Sequence, residues 1–357
     1  MHKSSFIGPF VICALTSVSS ASPEFYGFTR ASVGGRSLTS GNDISAGGYV
    51  AMSGANGAVW HPSFGFVHEF IPDDAIGVSN DGSVVATQGG NRSRVWTSEF
   101  GTQQLSNSNS FIGGISGNGA LIVGSNRDAD QAFVWDQQNG YRLLGGLQGV
   151  NGESTARAIS SDGQTIVGSS WNGSTRTAVT FSTNGVFTDL GVIDGYENAE
   201  AQGVSSDGRY VVGAARTGLN FGAFRWDRET GVTESLGGAF LGLAGFNAND
   251  VSDTGVVVGQ SYNDDTDVRT ALIYDDHHGW RSVADMLASE YDITLDPRWQ
   301  LENVYSISPD GTMITGSGLY TNDNGGREVT AWVAVIPSPS SLPSVVLGMT
   351  VCVIRRR

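Results

Sequence analysis

One short phrase recurs seven times along this chain of 357 residues. Each copy has an apolar residue, a serine, one further residue, a turn residue and a glycine, and a β-branched run follows. Self-similarity of this kind indicates that one structural unit is built repeatedly. The serine and glycine of the copies are Ser45 and Gly48, Ser79 and Gly82, Ser116 and Gly119, Ser160 and Gly163, Ser205 and Gly208, Ser252 and Gly255, and Ser308 and Gly311.

The chemistry of the phrase predicts a tight hairpin. Asp-Gly or Asn-Gly between two apolar runs favours a turn, because glycine accepts a positive φ. The serine hydroxyl can bond a nearby backbone amide or the Asp carboxylate and so fix the turn. A third strand carries a small residue with an aromatic residue three positions later, such as Ala132 and Trp135, and a fourth ends in Leu144-Gly145.

Four strands in about 45 residues are typical of one blade of a β-propeller. We therefore predict an all-β fold over residues 22–336, a seven-bladed propeller of four-stranded antiparallel blades. A parallel β-helix or a leucine-rich solenoid would have shorter repeats. The last copy ends after its third strand, so we expect the N-terminal strand near residues 25–29 to complete the last blade. Helical spacing at residues 283–290 predicts one short helix on the rim.

The N-terminal 21 residues are typical of a secretory signal peptide. Lys3 precedes a short apolar run, and small residues follow it up to Ala21. The run is too short to cross a membrane. We therefore predict export, with cleavage between Ala21 and Ser22.

The C-terminal segment, residues 337–357, has the order of a sorting signal. Pro337, Ser338 and Pro339 precede an apolar stretch at residues 342–354, and Arg355, Arg356 and Arg357 follow. This order resembles the PEP-CTERM signal of exosortase-processed bacterial surface proteins, with serine where that family usually has glutamate. The resemblance implies a processing protease as partner and a location at the cell surface, outer envelope or extracellular matrix. A plain tail anchor is the alternative, and in both cases only this segment contacts a membrane.

The repeats themselves resemble the HAF family of bacterial extracellular proteins. HAF units read roughly Ala-x-x-Ile-Ser-x-Asp-Gly, then Val-Gly, then Ala-Phe-x-Trp, then Leu-Gly. Residues 156–163 and 223–226 match this pattern best. The resemblance implies an extracellular location and a repeat fold, and it implies no reaction.

Charge and composition exclude several classes of function. The chain has 20 Lys and Arg against 35 Asp and Glu, a formal net charge of −15, and its only lysine is Lys3. Such a surface disfavours nucleic-acid binding, and without lysine the body has neither a P-loop nor a Schiff base. Both cysteines, Cys13 and Cys352, lie in the terminal segments, so the body has no disulfide and no thiolate site.

The sequence predicts no catalytic residue and no required cofactor. Four histidines, His61, His68, His277 and His278, are available to the body, and residues 275–278 fit a polar turn better than a metal site. The weak metal candidates are the carboxylates of Asp264, Asp265 and Asp267, whose oxygens suit calcium. Acids in this and the other connections between second and third strands, at Asp128, Asp130 and Asp323, would otherwise solubilise an exposed rim.

Two functions remain open. The first is an exported, non-catalytic propeller whose loops bind a polysaccharide or a surface protein. The alternative is a carbohydrate-active enzyme, a glycosidase or a lyase, that uses two carboxylates of the rim or channel about 5–10 Å apart. The acids that do not repeat from blade to blade are the candidates for that pair, and they include Glu153, Glu197, Glu200 and Glu302.

Overall fold

Each copy of the repeated phrase forms the first hairpin of one four-stranded antiparallel sheet. The computed structural model describes residues 22–30, 37–71, 73–218, 220–237, 245–263 and 268–336, and this part of the chain contains seven such sheets. The strand order within the sheets confirms the predicted seven-bladed propeller.

The first six blades take their strands in chain order, and the first strand of each blade lines the central channel. Their strands, four to a blade, are β2 (Leu38–Ile44), β3 (Val50–Gly54), β4 (Gly57–His61), β5 (Gly65–Ile71), β6 (Asp74–Val78), β7 (Val84–Gly89), β8 (Arg92–Thr97), β9 (Gly101–Gln104), β10 (Ser110–Ile115), β11 (Leu121–Asn126), β12 (Gln131–Asp136), β13 (Gly140–Gly145), β14 (Ser154–Ile159), β15 (Ile166–Trp171), β16 (Arg176–Phe181), β17 (Phe187–Gly191), β18 (Asn198–Val204), β19 (Tyr210–Thr217), β20 (Asn220–Asp227), β21 (Val232–Gly237), β22 (Gly245–Val251), β23 (Val257–Asn263), β24 (Val268–Asp275) and β25 (Gly279–Ser282).

The seventh blade joins the two ends of the body. It contains β26 (Trp299–Ile307), β27 (Met313–Thr321), β28 (Arg327–Val335) and, outermost, β1 (Glu24–Gly27). β1 runs antiparallel to β28, with Glu24 opposite Val335. The ring of Tyr26 lies 4.8 Å from that of Trp60 in blade 1, so β1 also packs against the first blade. The predicted closure by the N-terminal strand is confirmed.

The seven repeated turns have the same hydrogen bonds. In every copy the glycine N–H donates to the serine carbonyl at 2.8–3.0 Å, and the glycine φ lies between +71° and +83°. Ser160 shows the role of the side chain, because its hydroxyl donates to Asp162 at 2.6 Å and accepts from the amide of Thr165 at 3.0 Å. The seven repeated serines are buried.

Successive turns are also bonded to one another around one end of the channel. The residue after each repeated serine makes the contact, through its backbone or its side chain. The backbone bonds run from Asn80 N to Gly117 O at 2.7 Å, from Gly117 N to Ser161 O at 2.9 Å, from Ser161 N to Ser206 O at 3.0 Å and from Asp253 N to Pro309 O at 2.9 Å.

The helix α1 (Val283–Tyr291) follows the sixth blade, as predicted. It begins at Ser282, whose side chain accepts the amide of Asp285 at 3.0 Å. Met286 and Leu287 are buried in the core between blades 6 and 7. No helix in the described ranges is both long enough and apolar enough for a membrane span.

Candidate binding site at the channel mouth

A β-bulge occurs in the first strand of every blade, three residues before the repeated serine. A bulge places two residues opposite one and redirects the strand, and here the extra residue of each blade lines a central cavity of about 480 Å³. These residues differ chemically from blade to blade. They are Asn42, Ile76, Gly113, Arg157, Gln202, Asn249 and Tyr305.

Two carboxylates follow the bulges of blades 1 and 6. Asp43 Oδ2 accepts the amide of Val78, in blade 2, at 3.1 Å. Asp250 Oδ2 accepts the amide of Ile307 at 3.0 Å and the hydroxyl of Ser306 at 2.9 Å, both in blade 7. Each carboxylate therefore bonds its own blade to the next.

Ser306 connects the two aspartates. Its hydroxyl accepts the amide of Ile44, the residue after Asp43, at 3.1 Å, and donates to Asp250. Although both carboxyls border the cavity, protein atoms surround them closely. Burial raises the pKa of Asp43 to about 6 and that of Asp250 to about 7, against the lowering effect of their amide donors.

The channel is narrow at the end where the repeated turns lie. There the side-chain amide of Asn80 in blade 2 donates to Ser161 Oγ in blade 4 at 3.2 Å, past blade 3. A Cβ on Gly117 would lie only 2.0 Å from Ser161 Oγ, so a larger residue at this position of blade 3 would displace the Ser161 side chain. Because this hydrogen bond and the bonded turns narrow one end of the channel, the opposite end is the open one.

The open end widens into a pocket of about 750 Å³ that extends over blades 3 to 6. The channel and the pocket share Phe111, Arg157 and Gln202. Four guanidinium groups line the pocket, those of Arg127, Arg157, Arg176 and Arg216, against the two carboxylates of Asp130 and Glu200. We name this the arginine pocket.

Two of the four arginines are fixed by carboxylates. Arg157 Nε lies 2.8 Å from Glu200 Oε1, and Arg176 Nη2 lies 3.4 Å from Glu153 Oε2. Arg176 also donates to Ser169 at 3.2 Å. Glu153 and Glu200, which the sequence offers as candidates for an acid–base pair, are thus partners of arginines.

The other two arginines have no described carboxylate within 4.0 Å. Arg127 Cζ lies 4.4 Å above the ring of Phe111, in a cation–π contact. Arg216 is exposed near the end of β19. The arginine pocket therefore has two cationic groups that the described protein does not neutralise.

The remaining predicted residues are dispersed. Glu302 lies on β26, and neither it nor Glu197 lines the channel or the arginine pocket. Asp323 is paired with Arg298 at 2.7 Å, and Asp128 accepts the amide of Asn109 at 2.8 Å. Of the predicted rim acids that the structure describes, only Asp130 reaches the pocket.

The histidines lie near turns. His61 Nε2 is 3.1 Å from Gly47 O, and His68 Nε2 is 2.9 Å from Gly82 O. His277 and His278 lie in the turn between β24 and β25, where their amides donate to Asp275. The interpretation of residues 275–278 as a polar turn agrees with this geometry.

Several predicted residues lie outside the described ranges. Ser22 is the first described residue. In the described part of the chain, no three His, Cys, Asp or Glu residues are grouped so that they could hold a metal ion. The predicted residues that lie outside the described ranges are Ala21, the calcium candidates Asp264, Asp265 and Asp267, and the sorting-signal residues Pro337, Ser338, Pro339, Arg355, Arg356 and Arg357.

No protein-family model matches this chain, and no curated protein matches it. The resemblance to HAF repeats therefore stays a prediction.

Solved structures do match, at low sequence identity. An oligogalacturonate lyase in complex with manganese is 12% identical, with a TM-score of 0.53 over 89% of this chain and 97% of that chain. An oligogalacturonate lyase from Vibrio parahaemolyticus is 10% identical, with a TM-score of 0.50 over 89% of this chain and 98% of that chain. The β-propeller domain of the trilobed protease from Pyrococcus furiosus is 11% identical, with a TM-score of 0.51 over 83% of this chain and 93% of that domain. These likenesses show the propeller fold alone.

Proposed function

We propose that this chain is an exported β-propeller that binds a carbohydrate in the arginine pocket and does not act on it chemically. The observation that carries this proposal is the pocket itself, a concavity of about 750 Å³ at the open end of the channel. Its volume falls within the range of small-ligand sites, about 300–1,000 Å³. Phe111 and Phe221 supply apolar surface, and Gln202 and Asn247 supply amides suited to sugar hydroxyls.

The hydrogen bonds of the channel carboxylates support a binding role over a catalytic one. Asp43 and Asp250 accept backbone amides of neighbouring blades. A general acid or base must exchange a proton with its substrate, whereas these groups are engaged in joining blades 1, 2, 6 and 7. The repeated acids, such as Asp162, are likewise engaged in turns.

Export and surface location belong to the same proposal. They rest on the signal-peptide pattern of residues 1–21 and on the sorting-signal pattern of residues 337–357. Mass spectrometry of the protein from its native host tests both ends. We expect residues 1–21 and the three final arginines to be absent. A native protein that loses residues 1–21 and retains Arg355, Arg356 and Arg357 would contradict processing at the C-terminus.

A glycan array tests carbohydrate binding directly. The recombinant body, residues 22–336, is applied to the array with and without calcium. We expect selective binding of one glycan class, with no cleavage when the bound glycan is analysed afterwards. Absence of binding to every glycan, with and without calcium, would contradict the proposal.

A carbohydrate-active enzyme is the second candidate, and one observation favours it. Asp43 and Asp250 border the same cavity as Tyr305, and burial raises the pKa of Asp250 to about 7, which suits acid–base catalysis near neutral pH. The test incubates the body with the glycans that it binds and measures new reducing ends or unsaturated products. Product formation that Asp250→Asn abolishes would replace the binding proposal with this one.

A further inference from the structure

The arginine pocket is unusual for this chain because the protein is strongly acidic. The body has 16 arginines and 35 Asp and Glu residues. Four of those arginines, against only two acids, line one concavity. Charges of one sign in a cleft with low-dielectric walls focus the field and raise the local concentration of the opposite charge. The pocket is therefore expected to attract anions, although the rest of the acidic surface repels them.

The four arginines are arranged in two ways that together suit an anionic ligand. Arg157 and Arg176 are held in place by Glu200 and Glu153, so they shape the pocket while their charge is largely balanced. Arg127 and Arg216 have no described carboxylate within 4.0 Å. Since Arg127 is stacked on Phe111 at 4.4 Å, its guanidinium is oriented before a ligand arrives.

Arginine is selective for the kind of anion as well as for its sign. Its planar fork matches a carboxylate, with two parallel N–H···O bonds. The side-chain amides of Gln202 and Asn247 line the same pocket, and they suit neutral hydroxyl groups between the charges. Sugar rings that carry both hydroxyl groups and a carboxylate present this combination of groups.

We propose that the arginine pocket binds a uronic-acid segment of an anionic polysaccharide, with Arg127 and Arg216 as the groups that take its carboxylates. This inference rests on the proposed carbohydrate binding and specifies the class of its ligand. An acidic polypeptide is the competing ligand, and the test distinguishes it.

Polygalacturonate oligomers and their fully methyl-esterified counterparts form the first comparison, because the ester removes the charge and keeps the sugar. The affinity of the body is measured by isothermal titration calorimetry, and a neutral galactan and poly-glutamate are measured alongside. Alginate and glucuronate oligomers widen the panel to other uronates. We expect at least one uronate to bind about tenfold or more tightly than every neutral sugar, and its affinity to fall with added salt.

Arg127→Gln and Arg216→Gln are the diagnostic variants, since removing either side chain leaves no described carboxylate without its partner. We expect each to weaken uronate binding about tenfold. Arg269→Gln is the matched control, because Arg269 stacks over Tyr262 at 5.4 Å, outside the pocket. The affinity of this variant for the uronate should equal that of the unaltered protein. Circular dichroism and melting temperature establish that all three variants fold.

The outcomes separate this inference from the proposed function. If a neutral sugar binds as tightly as the uronates and the Arg127 and Arg216 variants retain that affinity, carbohydrate binding stands and the inference fails. Poly-glutamate binding in the absence of uronate binding would also overturn the inference. If no sugar on the wider array binds, the proposed function fails and the inference fails with it.

Discussion

The hydroxyl of Ser306 donates a 2.9 Å hydrogen bond to the Asp250 carboxylate across the boundary between blades 7 and 6. The same hydroxyl accepts the amide of Ile44 from blade 1. Three blades therefore meet at one serine on β26, the innermost strand of blade 7. A carboxyl that is buried at such a junction affects the free energy of unfolding in a way that depends on pH.

The first prediction concerns that pH dependence. The pKa of Asp43 is raised to about 6 and that of Asp250 to about 7, whereas an unfolded aspartate has a pKa of about 3.9. Between about pH 4 and pH 7 the folded chain therefore keeps protons that the unfolded chain has lost. The free energy of unfolding should fall as the pH rises through this window, since each unit of pKa difference corresponds to about 1.4 kcal/mol.

Urea denaturation at pH 5 and pH 8 measures this slope. The double variant Asp43→Asn, Asp250→Asn should flatten it, whatever its absolute stability, because amides do not titrate. Asp296→Asn is the control, because the pKa of this exposed carboxyl is lowered to about 2 and its removal should leave the slope between pH 5 and pH 8 unchanged. Asp275 and Asp296, whose pKa values are lowered to about 2, act only below the window. An equal slope in the double variant and the unaltered protein would contradict the assignment.

The second prediction concerns the repeated serine. Ser160→Ala removes the donor to Asp162 and leaves the buried amide of Thr165 without its acceptor. An unsatisfied buried group costs about 1–3 kcal/mol, so the melting temperature should fall. Ser174→Ala is the control, because Ser174 is exposed, and it should be within about 0.5 kcal/mol of the unaltered protein. Equal stability of the two variants would show that the hydroxyl does not hold the turn.

The third prediction separates turn conformation from contact between blades. Gly208 and Gly231 have φ values of +74° and +69°, so alanine at either position incurs a similar backbone cost of about 1–2 kcal/mol. A Cβ at Gly208 would also lie 2.9 Å from Thr165 Oγ1 in the preceding blade, whereas nothing lies within 4 Å at Gly231. Chemical denaturation should therefore find Gly208→Ala less stable than Gly231→Ala, and the reverse order would refute the contact.

The fourth prediction tests closure by β1. A Cβ on Gly27 would lie 2.2 Å from the Trp299 ring of β26, so Gly27→Leu should push β1 from the blade. We expect a loss of about 1–3 kcal/mol from overpacking, measured by thermal melting with tryptophan fluorescence. Gly326→Leu is the control, because Gly326 is exposed and its nearest side chain is the flexible Asn322. An unaltered melt for Gly27→Leu would indicate that β1 contributes little to the closed ring.

The features that could be predicted from the sequence are those that repeat. Serine and glycine recur because every blade needs the same turn. The number of copies then gives the number of blades, and their spacing gives the number of strands in each blade. The two channel carboxylates are not among the predicted acids, because the residues that line the channel differ from blade to blade. Two residues before the repeated serine, five copies have glycine, alanine or serine, and only Asp43 and Asp250 are charged. Aligning the copies at that position would have revealed this pair.

The arginine pocket could not be derived in this way. Arg127 and Arg216 are far apart in the sequence and reach one cavity only because blades 3 and 5 flank the same neighbour. The bulge that brings Arg157 to the channel is a feature of backbone register, which the residue pattern does not determine. The sequence predicts acids on this rim, and the residues that dominate its pocket are cations.

The pairing of Glu24 with Val335 also determines how the molecule is presented when it is attached to something. Both ends of the body leave side by side from the outer edge of blade 7. In a ring of seven sectors, blades 3 and 4 stand across from that edge. A sensor chip, an affinity tag or a natural tether joined at either end would therefore attach the propeller through blade 7. The part of the arginine pocket that blades 3 and 4 form would then face away from the attachment point and be accessible to a polysaccharide.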